Sequence, residues 1–181
     1  MLYPNFEPFP VLETERLILR PLSAKDASDL YQIRSNRIVN KFLRRSKPLS
    51  PDHVHRFIDK VISYQLKHEW LFWVICNKNN HQFIGNICFW NIIKEFDLAE
   101  LGYELLPEFF NQGFMSEAMS AVLNYGQMTL QLALIEAWTH KDNFYSLKLL
   151  NKFNFSRDPE LEEKLIGSPE LLDYIILAKR F

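Results

Sequence analysis

The chain has 181 residues, enough for one globular unit with a sizeable core and too few for two ordinary domains, so residues 1–181 are expected to form a single domain. Its 21 Lys and Arg nearly balance 22 Asp and Glu, which leaves no broad basic field for a nucleic-acid backbone or an anionic bilayer. No uncharged run approaches the roughly 18 residues of a membrane span, and the opening MLYPNFEPFPVLETERL lacks the basic and apolar stretches of a secretory signal, so a cytoplasmic protein is expected.

In chain order, ETERLILRPL alternates Leu17 and Leu19 against Arg16 and Arg20, the period of a half-buried strand. Ser23, with Asp26 three residues on, caps a helix through AKDASDLYQIRSN whose apolar face is Ala27, Leu30, Tyr31 and Ile33. A second helix starts at Ser50 with Pro51 in its first position and carries the stripe Val54, Phe57, Ile58, Val61 and Ile62. WLFWVICNKNNHQFIGNICFWNII is two β-rich runs around the turn cluster NKNNH, hence a hairpin, and AELGYELL adds a third antiparallel neighbour. Cys76 and Cys88 fall in these runs and are expected as small core residues, neither metal ligands nor a disulfide. Residues 114–130 form the longest helix, with Met115, Ala118, Met119 and Val122 on one face. LALIEAWTH is a strand, NFYSLKLLNKF a helix with Asn154 at its left-handed C-terminal position, and LLDYIILAKRF a final strand. This order is an α+β sandwich of helices on a mixed sheet.

The stretch FFNQGFMSEAM joins a strand and a Pro-initiated loop to a glycine and a helix start, so several unpaired backbone N–H groups converge at a positive helix end. Such an end binds anions, and Gly113 serves there by allowing close approach or a positive φ. An ordinary helix-entry glycine is the plainer alternative. No Lys-Ser/Thr pair follows, which excludes a P-loop. His53 and His55, two apart on a helix, point away from one another, so no metal site is expected. Trp70, Phe72, Trp73, Phe89 and Trp90 crowd the hairpin as core, with some available to line a pocket. The basic segment KFLRRSK (41–47) either attracts an acidic peptide or is a solvated charge run.

The runs TERLILRPL, AELGYELLPEFFNQGFMSEAMSAVL and HKDNFYSLKLLNKFNF resemble the GNAT superfamily of acetyl-CoA-dependent N-acetyltransferases, in its RimJ/RimL-like branch, which includes ribosomal-protein N-terminal acetyltransferases. The resemblance implies an α+β fold, a mixed and mostly antiparallel sheet with splayed central strands and helices on both faces. It implies acetyl-CoA as cosubstrate and direct attack of a primary amine, either a protein N-terminal α-amine or a small-molecule amine. A homodimer is compatible with it.

The family's Arg/Gln-x-x-Gly-x-Gly/Ala loop falls on Phe110, Gly113 and Met115, so only the central glycine is kept. By resemblance the backbone from Phe110 through Asn111, Gln112, Gly113, Phe114, Met115 and Ser116 holds the coenzyme A diphosphate. Leu105 and Leu106 are the implied main-chain partners of the pantetheine arm, Asn143 its side-chain partner, and Ser146 the group facing the sulfur. Many members use a tyrosine as the acid, but the matching position is Leu150, which leaves Ser146 as the replacement. Glu100 matches a strand glutamate that acts as a base in some relatives, and Glu104 shares its face by period-two alternation. A salt bridge or solvated strand face is the alternative for both. Tyr103, on the opposite face, reads as core, and His140 as a structural histidine or a proton relay. The vacant tyrosine position keeps a non-catalytic acyl-CoA-binding module as the rival reading.

Overall fold

A computed structural model describes residues 6–45 and 50–181; Ser46 and Lys47 of the basic segment lie outside the described residues. Eight strands form one sheet in the order β1-β2-β3-β4-β5-β6-β8-β7: β1 (Leu12–Glu13), β2 (Leu17–Pro21), β3 (Leu71–Asn77), β4 (Phe83–Ile93), β5 (Leu98–Leu105), β6 (Leu134–His140), β7 (Ser156–Arg157) and β8 (Tyr174–Arg180). Every neighbouring pair is antiparallel except β5 and β6, which run parallel. The short edge strand β1 is not among the expected elements, because two residues carry no readable alternation.

The sheet is covered on both faces, so β3 reads as a continuous apolar run instead of an alternating one. Leu71, Trp73 and Ile75 point into one core and Phe72, Val74 and Cys76 into the other. The first core is closed by α3 (Phe114–Met128) and α4 (Phe144–Lys152), through Met115, Ala118, Met119, Val122 and Leu150. The second is closed by α1 (Ala27–Ser35) and α2 (Pro51–Leu66), through Leu30, Ile33, Val54, Ile58 and Val61. Each fully buried Leu, Ile, Val or Met among these contributes about 1.5–3 kcal/mol relative to exposure. Ile62 departs from the expected stripe: it is exposed, because the face of α2 that meets the sheet centres on Val54, Ile58 and Val61.

Helix starts follow the local chemistry. Ser23 precedes a 3-10 turn, Ala24–Asp26, and the Asp26 carboxylate accepts the Ser23 N–H at 2.8 Å while Arg20 holds its other oxygen at 2.6 Å. Pro51 opens α2 behind an extended Ser50. Asn154 has φ 61° just past the end of α4, the left-handed position foreseen for it. Both cysteines are buried and free.

What positions a site is the end of the parallel pairing. β5 and β6 are in register only at Leu98 with Leu134, Ala99 with Ile135 and Glu100 with Glu136. Beyond Glu100, β5 follows β4 up to Leu105, while β6 follows β8 to His140. The two central strands therefore splay into a V that opens toward the loop ahead of α3 and the start of α4.

Candidate active site

In an antiparallel ladder, peptide groups point alternately to the partner strand and away from it. The Leu106 N–H donates to the Ile84 carbonyl at 3.0 Å, so the peptide groups of Glu104 and Gly102 also face β4, and those of Leu101, Tyr103 and Leu105 face the V. This corrects one expected main-chain partner. Leu106 has its N–H on Ile84, its carbonyl on the Phe109 N–H and its side chain buried in the α1/α2 core, so of the two expected partners Leu105 alone presents its backbone to the groove.

The loop from Leu106 to Gly113 contains a 3-10 turn, Pro107–Phe109, and reaches α3 through Gly113 at φ 81°, a left-handed conformation that explains the glycine. The first helical hydrogen bond is the Glu117 N–H to the Gly113 carbonyl at 3.0 Å, so the N–H groups of Phe114, Met115 and Ser116 have no partner in the helix and stand at its positive end. Phe110 is a second correction: its N–H is bonded to the Pro107 carbonyl at 3.1 Å, which removes it from the donors.

Sequence reasoning missed Arg16. Its guanidinium stacks on the Phe114 ring at 4.4 Å, donates to the Gln112 carbonyl at 3.1 Å and to Glu117 at 2.7 Å, and thus sits on the loop that leads into α3. Glu117 also accepts from the Thr14 hydroxyl at 2.5 Å and the Arg16 N–H at 2.8 Å. The contacts join residues about a hundred positions apart, so no local pattern announces them.

Asn143 caps α4, its Oδ1 accepting the Ser146 N–H at 3.3 Å, which leaves the amide nitrogen as a donor. The Ser146 hydroxyl lies 2.8 Å from the phenol of Tyr103 on β5. Tyr103 packs its ring against the α3/α4 core as expected, but its hydroxyl is at the groove. Burial raises the phenol's pKa well beyond the ordinary range against the opposing pull of the Ser146 bond, so the phenol keeps its proton. Leu150 is fully buried.

On the other face of the sheet stand Glu100, Glu104 and Glu136. Burial, with the nearby Glu136 carboxylate, raises the Glu100 pKa against the Asn91 amide, which donates to it at 3.0 Å, and the more distant Lys164. Glu136, directly across the V, is neutralised by Lys164 at 2.6 Å and accepts the Trp138 indole N–H at 3.1 Å. Glu104 is different. Burial would raise its pKa, but the Arg45 fork at 2.9 and 2.6 Å, the Asn86 amide at 3.1 Å and the field of Arg34 together pull it below the usual carboxylate range. A carboxylate held in that way is an anchor and a poor base. Between the two glutamates Gly102 has no side chain, and the Trp90 indole nitrogen lies 2.4 Å from where a Cβ would stand, so only glycine fits beneath the ring.

Residues 36–45, which follow α1, strap across the mouth of the V. Arg45 ties it to Glu104 on β5, the Tyr174 hydroxyl on β8 donates to the Phe42 carbonyl at 2.6 Å, and the Phe42 ring lies 5.4 Å from that of His140 on β6. His140 also packs on Tyr174, and its Nδ1 accepts the Asp142 N–H at 3.1 Å, so it fixes the strap's far end. Among the described residues no group of His, Cys, Asp and Glu side chains could hold a metal ion, and no helix is long and apolar enough to cross a membrane.

Residues 16–156 match the family described as Acetyltransferase (GNAT) domain. The chain is 32% identical over 163 residues to the uncharacterized N-acetyltransferase YoaA of Bacillus subtilis (strain 168), covering 89% of this chain and 92% of that one. It is 31% identical over 167 residues to the uncharacterized N-acetyltransferase p20 of Bacillus licheniformis, covering 92% and 94%. Its fold matches that of RimL, a ribosomal L7/L12 alpha-N-protein acetyltransferase solved with coenzyme A, with a TM-score of 0.80 at 17% identity over 95% of this chain and 98% of that chain. The chain belongs to the GNAT acetyltransferase family, and it is an enzyme that takes the acetyl group of acetyl-CoA to an amine.

Proposed function

We propose that this GNAT acetyltransferase, acting as a single catalytic domain, acetylates a protein N-terminal α-amine or a small primary amine by direct attack on the thioester held in the V. The observation that carries the reading is the end of the parallel register at Glu100 and Glu136, because it opens a groove with acid-type hydroxyls on one face and an uncompensated carboxylate on the other. Pantetheine carries two amides that need backbone partners in an otherwise apolar cleft. The Leu105 peptide groups and the Asn143 amide are suited to supply them. The N–H groups from Asn111 to Ser116, with the Arg16 guanidinium beside them, suit the diphosphate, and phenylalanine at 110 in place of the family's Arg or Gln is of little consequence because backbone donors do not depend on side-chain identity.

Acetyl transfer needs a neutral amine, a stabilised tetrahedral oxyanion and a proton for the departing thiolate. Because β5 alternates, Glu100 approaches the thioester from the α1/α2 face while Tyr103 and Ser146 approach from the α3/α4 face. We assign Glu100 as the base that takes the amine proton, directly or through one water. Ser146 is the donor to the sulfur and Tyr103 resupplies its proton; when the products leave, water entering the open V reprotonates the Tyr103 phenolate and takes the proton held by Glu100, so the vacant tyrosine position at Leu150 is covered from a different strand. The C–N bond forms as the amine attacks, the C–S bond then breaks, and the thiolate leaves with a proton from Ser146. Glu104 is assigned to holding the strap. The test is mass spectrometry of candidate amines and N-terminal peptides after incubation with labelled acetyl-CoA: label on a primary amine is the expected result, and coenzyme A binding without label on any amine would refute the reading.

A further inference from the structure

The acceptor face carries an unequal pattern of charge. Glu136 is matched by Lys164 and Glu104 by Arg45, while Glu100 has an amide partner only. From residue 34 to residue 45 the chain contains Arg34, Arg37, Lys41, Arg44 and Arg45 and no acidic residue. Arg34 is the informative one. Its guanidinium lies 3.9 Å over the Phe57 ring and has no hydrogen-bond partner among the described residues. Its carbonyl accepts from the Asn40 amide at 2.8 Å, and the same Asn40 side chain accepts from Arg45 Nε at 2.8 Å. The single carboxylate of Glu104 thus lies in contact with the Arg45 guanidinium and within the field of a second one, that of Arg34. Burial, reinforced by repulsion from Arg45, lowers the Arg34 pKa to about 10, the mark of a cation held from water without full compensation.

Glu100 and Glu104 lie four residues apart on one face of β5, a span of about 13 Å at the strand rise. The Trp90 indole covers Gly102 between them. An extended peptide advances by about the same rise per residue. We infer that the acceptor is an N-terminal α-amine on an extended peptide with a carboxylate at its third to fifth residue, the amine seated at Glu100 and the carboxylate taken by Arg34 beside Arg45. This rests on the acetyl-transfer reading above and adds the acceptor's chemistry to it. A polyamine would bring further positive charge against an already uncompensated guanidinium, and an amino acid is too short to reach both ends.

The test measures binding to the protein saturated with coenzyme A, by fluorescence anisotropy of a C-terminally labelled peptide Ser-Gly-Gly-Glu-Gly and its glutamine isostere. The Glu peptide is expected to bind about tenfold more tightly, with the advantage shrinking as salt is raised and falling to about twofold or less in Arg34→Gln. Arg34→Lys, which keeps the charge, is expected to retain part of the advantage, and matching circular dichroism spectra separate this from misfolding. Equal binding of the two peptides, an advantage that survives Arg34→Gln in a folded protein, or stronger competition by spermidine than by the Glu peptide would each overturn the inference. Acetylation is followed separately: a preference for the Glu peptide without label on any amine supports the acceptor site while counting against acetyl transfer.

Discussion

The Tyr103 phenol and the Ser146 hydroxyl, on a strand and a helix that sequence alone does not bring together, stand 2.8 Å apart at the open end of the V. Neither would ionise readily alone, but a phenol kept protonated by burial can resupply a serine that donates to sulfur. Ser146→Ala is expected to lower kcat by roughly ten- to a thousandfold with little change in the KM for acetyl-CoA, since the interaction forms chiefly in the transition state. Tyr103→Phe keeps the ring's packing and removes the relay, so its loss in kcat should be smaller. The double variant should match Ser146→Ala, because the two act as one unit. Steady-state kinetics on the three proteins checks this, and fully additive losses would sink the relay.

Glu100 gives a pH signature. Burial raises its pKa, so the carboxylate form needed in a base is lost at a higher pH than for an ordinary glutamate. Activity as kcat/KM should therefore fall on the acid side along a limb lying above the usual carboxylate range. Two neighbours should move the limb in opposite senses. Lys164→Met leaves Glu136 uncompensated, raises Glu100 further and should shift the limb upward; Glu136→Gln leaves Lys164 unopposed and should shift it downward. In Glu100→Gln the limb should instead track deprotonation of the free amine, near pH 8 for an α-amine. A pH–rate series on the four proteins decides it, and a limb unmoved in all three variants would remove Glu100 from the base role.

Much of this architecture was legible because its signals are local. Period-two runs at Leu17 and Leu19, the turn cluster in the hairpin, Pro51 behind Ser50 and Asn154 at a helix end each report on residues a few positions away, and the strands and helices stand where those signals put them. The side-chain relationships of the site that escaped are long-range. Whether Glu104 is a base or an anchor depends on Arg45, fifty-nine residues earlier, and the loop ahead of α3 is held by Arg16, whose alternation marks it only as a polar strand residue. Tyr103 shows why strand parity is insufficient, since a ring can pack in the core while its hydroxyl reaches the groove. Leu106 and Phe110 erred for a simpler reason: which peptide N–H is already spent depends on ladder phase and on a 3-10 turn, and neither is written in side-chain identity.

The strap's anchor should appear in stability. Glu104 is largely buried and its pKa lies below the ordinary value, so it contributes stability that is present above about pH 4.5 and is lost as pH falls through its lower folded value. Glu104→Gln should flatten the pH dependence of unfolding in that acid window. Arg45→Ala leaves a buried carboxylate unpaired and should cost about 3–5 kcal/mol at neutral pH, more than the double variant with Glu104→Gln. Urea unfolding across pH measures both, and an Arg45→Ala cost below about 1 kcal/mol would mean that the ion pair is screened as a surface pair is.

Gly113 separates two explanations for a glycine at the loop proposed to hold the diphosphate. A Cβ built there would meet the Arg16 guanidinium at 3.4 Å, an ordinary contact, so crowding by the protein is not what demands glycine; its φ of 81° is. An L-residue in that conformation costs about 1–2 kcal/mol, and asparagine tolerates it better than alanine or valine. The loop is predicted to answer this strain by turning its N–H groups away from the diphosphate. Calorimetry should then rank coenzyme A affinity as wild type, Gly113→Asn, Gly113→Ala and Gly113→Val, in falling order, with thermal unfolding changed little because position 113 itself belongs to neither core. Should asparagine bind as weakly as valine, close approach of the ligand to the Cα is the dominant need, and the side chain itself, not the backbone conformation, is what the site excludes. Binding equal to wild type in all three would remove this loop from the coenzyme A site.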